Sequence, residues 1–331
     1  MSHSPTDLCV LADTHLLPWQ VEALERTVEQ TDTRISLVIV DDPSYENKES
    51  ERHRPAVRTA IARGESLGLA DVSALFQSLR AEGAWTLVLA ERKVAWLLGY
   101  DESDWLERIP VQEVDVLNDA VRIHCTPNSD GVWNELPDEL VELVANESDV
   151  AVRFGFGLLR GDVLDAPEYG VLSFHAADVR RYRGLGPDLV FYNGDDTAGS
   201  TLQQLTEEID AGQIIAIDTI DVSDARTSDE VRRRTYDLQQ EMLARGINRL
   251  RDPGFEPREL TELAEYTSHR TRQKVTYSLP IAARNLVGRL REHSPTYRRL
   301  RRFVERRVGS GDDRDQPDAD RNRVQSTETT D

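Results

Sequence analysis

The residues of this chain best suited to chemistry are a histidine, an aspartate and the basic glycine turn between them. The apolar run Val171–His175 contains Ser173 and ends in His175, a basic glycine turn follows at 181–184, and Asp210 lies further along the chain. Histidine gains and loses a proton near neutral pH, and a nearby carboxylate stabilises its charged form. The pattern therefore indicates a proton-transfer site at the end of a strand.

Strands that alternate with helices must position these side chains. Apolar runs predict strands and amphipathic stretches predict helices. The predicted strands are 7–11, 34–40, 85–90, 121–125, 149–154 and 171–175, and the predicted helices are 18–30, 72–80, 137–146 and 227–251. Such alternation predicts an α/β fold with a Rossmann-like, mostly parallel sheet and flanking helices. Ligands in these sheets bind beyond the carboxyl ends of the strands, where His175 lies.

The chain is predicted to have three regions. Residues 1–252 form the α/β domain, 253–308 an arginine-rich helical extension, and 309–331 a disordered acidic tail. Residues 281–308 hold nine arginines and two glutamates. Our first interpretation of this basic helix is that it packs on the protein's own acidic surface. The alternative is a weak contact of residues 284–307 with an anionic membrane surface or a polyanion.

The overall charge is strongly negative, because forty basic residues face sixty acidic ones, and only three of the basic residues are lysines. This composition is typical of halophilic proteins, whose self-repulsion is screened by salt, and it disfavours nucleic-acid binding. Cys9 and Cys125 lie far apart in apolar runs, so we expect two buried thiols and no metal site. The N-terminus carries no signal peptide pattern and no apolar run reaches membrane-spanning length, so a cytoplasmic location is expected.

Five motifs occur in a recognisable order around the histidine. They are Gly170-Val-Leu-Ser-Phe-His175, Arg181-Tyr-Arg-Gly184, Asn193-Gly-Asp195, Gly199-Ser-Thr201 and Ile209-Asp-Ala-Gly212. Together they resemble the formyltransferase family, which includes methionyl-tRNA, glycinamide-ribonucleotide and amino-sugar formyltransferases. The resemblance covers residues 149–220 and implies that 10-formyltetrahydrofolate is the formyl donor, that the acceptor is an amine, and that no metal takes part.

The resemblance also implies roles for His175, Asp210 and Ser173. His175 is the catalytic histidine, and Asp210 is the carboxylate that orients it. Ser173 stands where the family has an asparagine, so it becomes a shorter donor for the oxyanion that forms during transfer. Loss of one oxyanion donor costs about 100-fold to 1000-fold in rate. The serine therefore leaves turnover open.

Two neighbouring stretches are assigned binding roles. The loop 176–180 departs from the family's proline-rich loop, and the basic turn after it suits an anionic substrate such as a nucleotide-sugar pyrophosphate. Those substrate-binding candidates are Arg181, Tyr182 and Arg183. Residues 154–157 are not a dinucleotide fingerprint, because a third glycine is missing, so packing is their default role. The resemblance implies that they line the folate pocket; they are Phe154, Gly155, Phe156 and Gly157.

The leading hypothesis is an enzyme that transfers a formyl group to a small or nucleotide-linked amine, for example an amino-sugar nucleotide. Transfer to tRNA is disfavoured by the acidic surface. One alternative is a degenerate family member that binds a ligand or a partner without turnover, which Ser173 and the loop 176–180 support. Another is hydrolysis of the formyl donor, with water in place of the amine. The sequence leaves the acceptor and the oligomeric state open.

Overall fold

The computed structural model of the protein describes residues 5–42, 82–100, 104–259 and 263–292. The predicted helix at 72–80, the predicted tail at 309–331 and the second half of the arginine-rich helix lie outside these residues. No helix within the described ranges combines the length and the apolar character that a membrane crossing requires. Cys9 and Cys125 are both buried and unbridged, as predicted.

The described chain contains twelve strands and six α-helices. The strands are β1 (Thr6–Asp13), β2 (His15–Leu16), β3 (Thr33–Asp41), β4 (Ile109–Pro110), β5 (Val121–Cys125), β6 (Asn128–Asp130), β7 (Trp133–Glu135), β8 (Val150–Arg153), β9 (Leu158–Leu159), β10 (Val171–His175), β11 (Thr197–Gln204) and β12 (Gln213–Asp221). The helices are α1 (Pro18–Gln30), α2 (Thr86–Leu97), α3 (Asp138–Glu147), α4 (Pro187–Asn193), α5 (Ser228–Leu250) and α6 (Val275–Glu292).

A seven-stranded sheet in the order β12-β11-β10-β8-β1-β3-β5 forms the centre of the protein. The five strands from β10 to β5 are parallel to one another, and β11 and β12 continue the sheet in antiparallel pairing. The predicted Rossmann-like, mostly parallel sheet with flanking helices is therefore confirmed. Parallel strands place their carboxyl ends at one edge of the sheet, and this edge carries His175.

Both faces of the sheet are covered, which explains why β1 and β3 are apolar along nearly their whole length. On one face, Leu24 of α1 and Met242 of α5 pack against Val10 and Val38. On the other face, Val144 of α3 packs with the neighbouring apolar strand residues. The two layers of helices hold the strands rigidly in register, so the positions of side chains at the strand ends are set by the sheet.

The prediction of a strand at 85–90 is wrong, because α2 spans Thr86–Leu97. Trp85, just before this helix, and Val88 and Ala95 within it are buried, whereas Leu87 is 43 % exposed. That alternation follows the helical repeat and not the two-residue repeat of a strand. A short continuous apolar run does not distinguish a buried strand from a helix.

Helix α6 contains the first part of the predicted arginine-rich segment and packs on the body of the protein. Tyr277 and Ile281 join a buried cluster with Val190 of α4 and Val231 of α5. Beside this cluster lies a set of paired side chains that we call the buried charge network. It consists of Glu91, Arg92, Asp188, Asp229, Arg232, Arg272 and Arg289. The network joins α2, α4, α5 and α6. The boundaries of the three predicted regions, 1–252, 253–308 and 309–331, stay predictions.

Candidate functional site

The candidate site lies at the carboxyl edge of the parallel strands β1, β8 and β10. Alternation along β10 puts Ser173 and His175 on one face of the sheet and Phe174 on the other. Strand β8 pairs with β10 so that Arg153 lies directly opposite Ser173. Asp13 ends the neighbouring strand β1. The edge therefore gathers a histidine, a serine, an arginine and an aspartate from three strands.

His175 is buried, and both of its ring nitrogens contact protein oxygen atoms. Nδ1 lies 3.3 Å from Oδ1 of Asp210, and Nε2 lies 3.0 Å from the backbone carbonyl oxygen of Tyr182. Both partners are hydrogen-bond acceptors, so the ring donates to both of them when it is charged and to one of them when it is neutral. The carboxylate stabilises the charged ring.

Asp210 is held in place by its own backbone and by a neighbouring turn. Its φ of 51° lies in the left-handed region, which aspartate tolerates better than most non-glycine residues. The backbone N–H of Gly184 donates to Oδ2 over 3.2 Å. Burial opposes the charged carboxylate, but the hydrogen bond and charge of His175, together with Gly184 and Arg183, keep the pKa of Asp210 below its usual value. The carboxyl group is therefore ionised beside His175.

Arg153 is the site residue that the sequence analysis missed. Its Nη2 and Nε donate to Oγ of Ser173 over 2.8 and 3.3 Å, and Nη1 donates to the carbonyl of Gly157. Burial lowers the pKa of Arg153, and the negative charges of Asp210 and Asp13 offset this only in part. The signal in the sequence was an arginine that ends an otherwise apolar strand, since buried arginines occur almost only with partners.

A cavity of about 180 Å³ opens beside Ser173 and Arg153. Its other walls are largely aromatic: the Trp19 ring lies 5.5 Å from the rings of Phe154 and Phe174 and 5.2 Å from that of Tyr236. This volume corresponds to about six water molecules at ~30 Å³ each. Only a small group, or a small part of a larger ligand, fits within this volume.

The four residues predicted to bind folate have different environments. Phe154 lines the cavity. Gly155 packs against β1, where a Cβ atom would lie 2.2 Å from the backbone nitrogen of Asp13. The Phe156 side chain is fully buried, and its N–H donates to the Asp13 carboxylate over 3.3 Å. Gly157 is exposed and gives its carbonyl to the arginine described above. The packing role of Gly155 is clear, and folate binding by this stretch stays a prediction.

The three residues predicted to bind an anionic substrate contact other parts of the protein. Nη2 of Arg181 lies 3.0 Å from the Asp195 carboxylate, and the hydroxyl of Tyr182 donates to the same group. Arg183 donates to the carbonyl of Ile209, next to Asp210 in the chain. These contacts fix the turn and the aspartate loop around His175. None of the three side chains lines the cavity, so their substrate-binding role stays a prediction.

The loop 176–180 is fixed by internal contacts. Asp178 is buried and receives two hydrogen bonds from the Arg180 side chain, at 2.8 and 2.6 Å. Burial opposes ionisation of Asp178, but the hydrogen bonds and charge of Arg180 keep its pKa low. Thr201 Oγ1 donates to the carbonyl of Ala177 over 2.8 Å. In the described ranges no group of three or more histidine, cysteine or acidic residues is arranged to hold a metal.

Comparison with known proteins assigns a family to the part of the chain that carries this geometry. Residues 122–247, which include β8, β10 and Asp210, match the family model described as formyl transferase. The match covers less than half of the chain.

Two curated relatives and one solved structure illustrate the similarity. The chain is 32 % identical over 111 residues to methionyl-tRNA formyltransferase of Fusobacterium nucleatum, covering 33 % of this chain and 36 % of the relative. It is 27 % identical over 161 residues to the same enzyme of Pseudoalteromonas translucida, covering 48 % and 50 %. The chain thus spans half or less of these relatives.

The structure is similar to an N-formyltransferase from Helicobacter canadensis in complex with folinic acid and dTDP-3-aminofucose. The TM-score is 0.47 at 10 % identity, with 85 % of this chain and 80 % of that chain covered.

Proposed function

We propose that this protein transfers a formyl group from 10-formyltetrahydrofolate to an amine. The observation that carries the proposal is the His175–Asp210 pair, 3.3 Å apart at the carboxyl edge of the sheet, with His175 two residues after Ser173, which lines the cavity. Formyl transfer needs a base near the attacking amine and a donor near the formyl oxygen. The site offers both kinds of group within one family domain.

Each residue of the site has its own role in formyl transfer. The bound donor supplies an activated formyl carbon. His175 accepts the proton that the amine loses at Nε2, while Nδ1–H donates to the ionised Asp210, which stabilises the charged ring. In this step Nε2 exchanges its contact with the Tyr182 carbonyl for one with the amine, and the Nδ1–Asp210 contact keeps the orientation of the ring.

As acceptor we propose a small or nucleotide-linked amine, with amino-sugar nucleotides as the first class to test. The net charge of -20 supports this choice over tRNA, whose phosphate backbone is attracted by basic surfaces. The test is formyl transfer from 10-formyltetrahydrofolate to a panel of dTDP- and UDP-linked amino sugars and to methionyl-tRNA. Product with tRNA alone would reverse the choice of acceptor and leave the proposed reaction intact.

The reaction itself is tested by changing the histidine. His175→Gln should lower kcat for formyl transfer by about 100-fold to 10,000-fold, the range for loss of a general base. His124→Gln is the matched control, because His124 forms a second histidine–aspartate pair, 3.1 Å from Asp42, outside the cavity. Equal activity of the two variants would contradict the assignment of His175.

A second candidate function is binding without turnover. It is favoured by the bond between Nε2 of His175 and Tyr182, which leaves neither ring nitrogen without a protein partner. In that case the protein binds 5-formyltetrahydrofolate in calorimetry, but neither the wild type nor Ser173→Asn transfers a formyl group. Release of formate without any amine would instead identify a hydrolase.

A further inference from the structure

The hydrogen bonds around Ser173 fix the direction in which its hydroxyl donates. Two N–H groups of Arg153 donate to Oγ of Ser173, at 2.8 and 3.3 Å. Because these bonds occupy the lone-pair side of the oxygen, the hydroxyl proton must point away from Arg153. Bonding to a cation also withdraws electron density from the oxygen and strengthens the hydroxyl as a donor. Ser173 is thus a polarised donor in the wall of the cavity.

Arg153 itself carries a positive charge that no carboxylate neutralises at close range. Within the described residues it makes no ion pair at the 4.0 Å distance that defines one, and its three hydrogen bonds go to a serine and a backbone carbonyl. A largely desolvated charge without a counter-ion is costly unless a ligand supplies negative charge. Arg153 also lines the cavity, so a negative charge that develops there lies within its reach.

We propose that Arg153 and Ser173 together form the oxyanion-stabilising site of this protein, with the Ser173 hydroxyl as direct donor and Arg153 as its orienting cation. This inference rests on the proposed formyl transfer. Arg153 lies outside the family's histidine motif. In this proposal it compensates for the family's asparagine, which is replaced by Ser173 in this chain.

The chemistry of the step balances without any further reactant. The amine nitrogen forms a bond to the formyl carbon, and the carbonyl π pair moves onto the formyl oxygen, where Ser173 and Arg153 stabilise the charge. When the carbonyl re-forms, the bond between the formyl carbon and the donor nitrogen breaks. The proton that the amine lost to His175 passes to that leaving nitrogen, and nothing is oxidised or reduced.

The test combines Arg153→Met, Arg153→Lys, Ser173→Ala and the double variant Arg153→Met/Ser173→Ala. Arg34→Met is the matched control, because Arg34 pairs with Asp7 on the surface near the start of β3, at the opposite edge of the sheet. We measure kcat and KM for formyl transfer, and the Kd for 5-formyltetrahydrofolate by calorimetry. Melting temperatures verify that each variant folds, and Arg153→Lys serves if the methionine variant does not.

Arg153→Met should lower kcat by about 100-fold to 1000-fold while KM and Kd stay near the wild-type values, because the lost interaction exists only in the transition state. Arg153→Lys should recover part of the rate, since it keeps the charge but not the forked geometry. Ser173→Ala should lose at least as much as Arg153→Met, and the double variant should lose no more than Ser173→Ala. This non-additivity marks two residues that act as one unit.

Two outcomes overturn the inference alone. If Arg153→Met raises KM or Kd and leaves kcat unchanged, Arg153 binds an anionic group of a ligand in its ground state. If the variant keeps wild-type kinetics, Arg153 has only a structural role. A wild-type protein that neither binds 5-formyltetrahydrofolate nor formylates any amine overturns the proposed function, and this inference with it.

Discussion

Two groups of buried charges in this protein differ in how completely they are paired. In the buried charge network, Asp188 is fully buried and receives Arg232 at 2.7 Å and Arg272 at 2.6 Å. Arg289 lies 2.9 Å from Glu91 in the same way. At the candidate site, by contrast, Arg153 donates hydrogen bonds only to neutral groups. The Asp210 carboxylate acts on Arg153 only through its charge, from a longer distance.

The difference separates charges that hold the fold from charges prepared for a ligand. In the network each cation is in contact with an anion, and the low-dielectric interior strengthens their attraction. Burial opposes the charged form of Asp188, but the charges of Arg232 and Arg272 keep its pKa below the usual value. The network borders a closed apolar cluster, whereas Arg153 borders a cavity. We therefore expect substitutions in the network to change stability and substitutions at the site to change chemistry.

The sharpest test of this contrast is one substitution made in both places. Arg232→Met leaves Asp188 with a missing partner in the interior and should lower the free energy of unfolding by about 3–5 kcal/mol, the cost of breaking a buried pair. Arg153→Met removes hydrogen bonds but leaves no buried carboxylate in direct contact, so about 1 kcal/mol is expected. Urea unfolding of both variants measures the difference. Equal losses would make Arg153 a structural residue.

Gly155→Ala tests packing within the predicted folate stretch. A Cβ atom at this position would overlap the backbone of β1, so the variant should lose about 1–3 kcal/mol of stability, as overpacking typically does. Gly254→Ala is the control, because its added Cβ would meet only an Asp252 side-chain oxygen at 3.4 Å. Thermal unfolding compares the two. A fully stable Gly155→Ala protein would show that β1 and β8 can separate at the site.

Asp210→Asn tests the ionised carboxylate through the pH dependence of stability. The pKa of Asp210 is lower in the folded protein than in the unfolded chain, so its charge contributes stability above the unfolded pKa of about 3.9. That contribution disappears as the pH falls through the lower, folded pKa. The gap in unfolding free energy between wild type and variant should therefore be full at neutral pH and shrink below about pH 4. A gap that widens in acid would reverse the assigned charge state.

The smallest effect is expected for a surface ion pair. Arg233 and Asp237 lie 3.5 Å apart on α5, and each side chain is nearly half exposed. Asp237→Asn should change the free energy of unfolding by about 0.3–0.5 kcal/mol, since water and salt screen such pairs. Chemical denaturation at low and high salt measures it. A loss as large as that of Arg232→Met would break the distinction between buried and exposed pairs.

Local patterns in the sequence were sufficient for the strands and helices with clear periodicity. The strands β1, β3, β5, β8 and β10 and the helices α1, α3 and α5 lie within a few residues of their predicted bounds. The same patterns failed at α2, whose short apolar run fits either type of element. Residue type alone also gave no sign that Glu91 and Arg92 of this helix join the buried charge network.

The sequence by itself determined the alternation of strands and helices, the strand end that carries His175, and the match of residues 122–247 to the formyl transferase family model. These follow from short-range periodicity and from motif order. Only the tertiary structure decided that Arg153 lies against Ser173, because this contact depends on the register between two parallel strands. It also decided that Asp210 meets Nδ1 of His175 while Nε2 is bonded to the backbone. Both contacts join residues whose distance is set by the packed sheet and not by their separation along the chain.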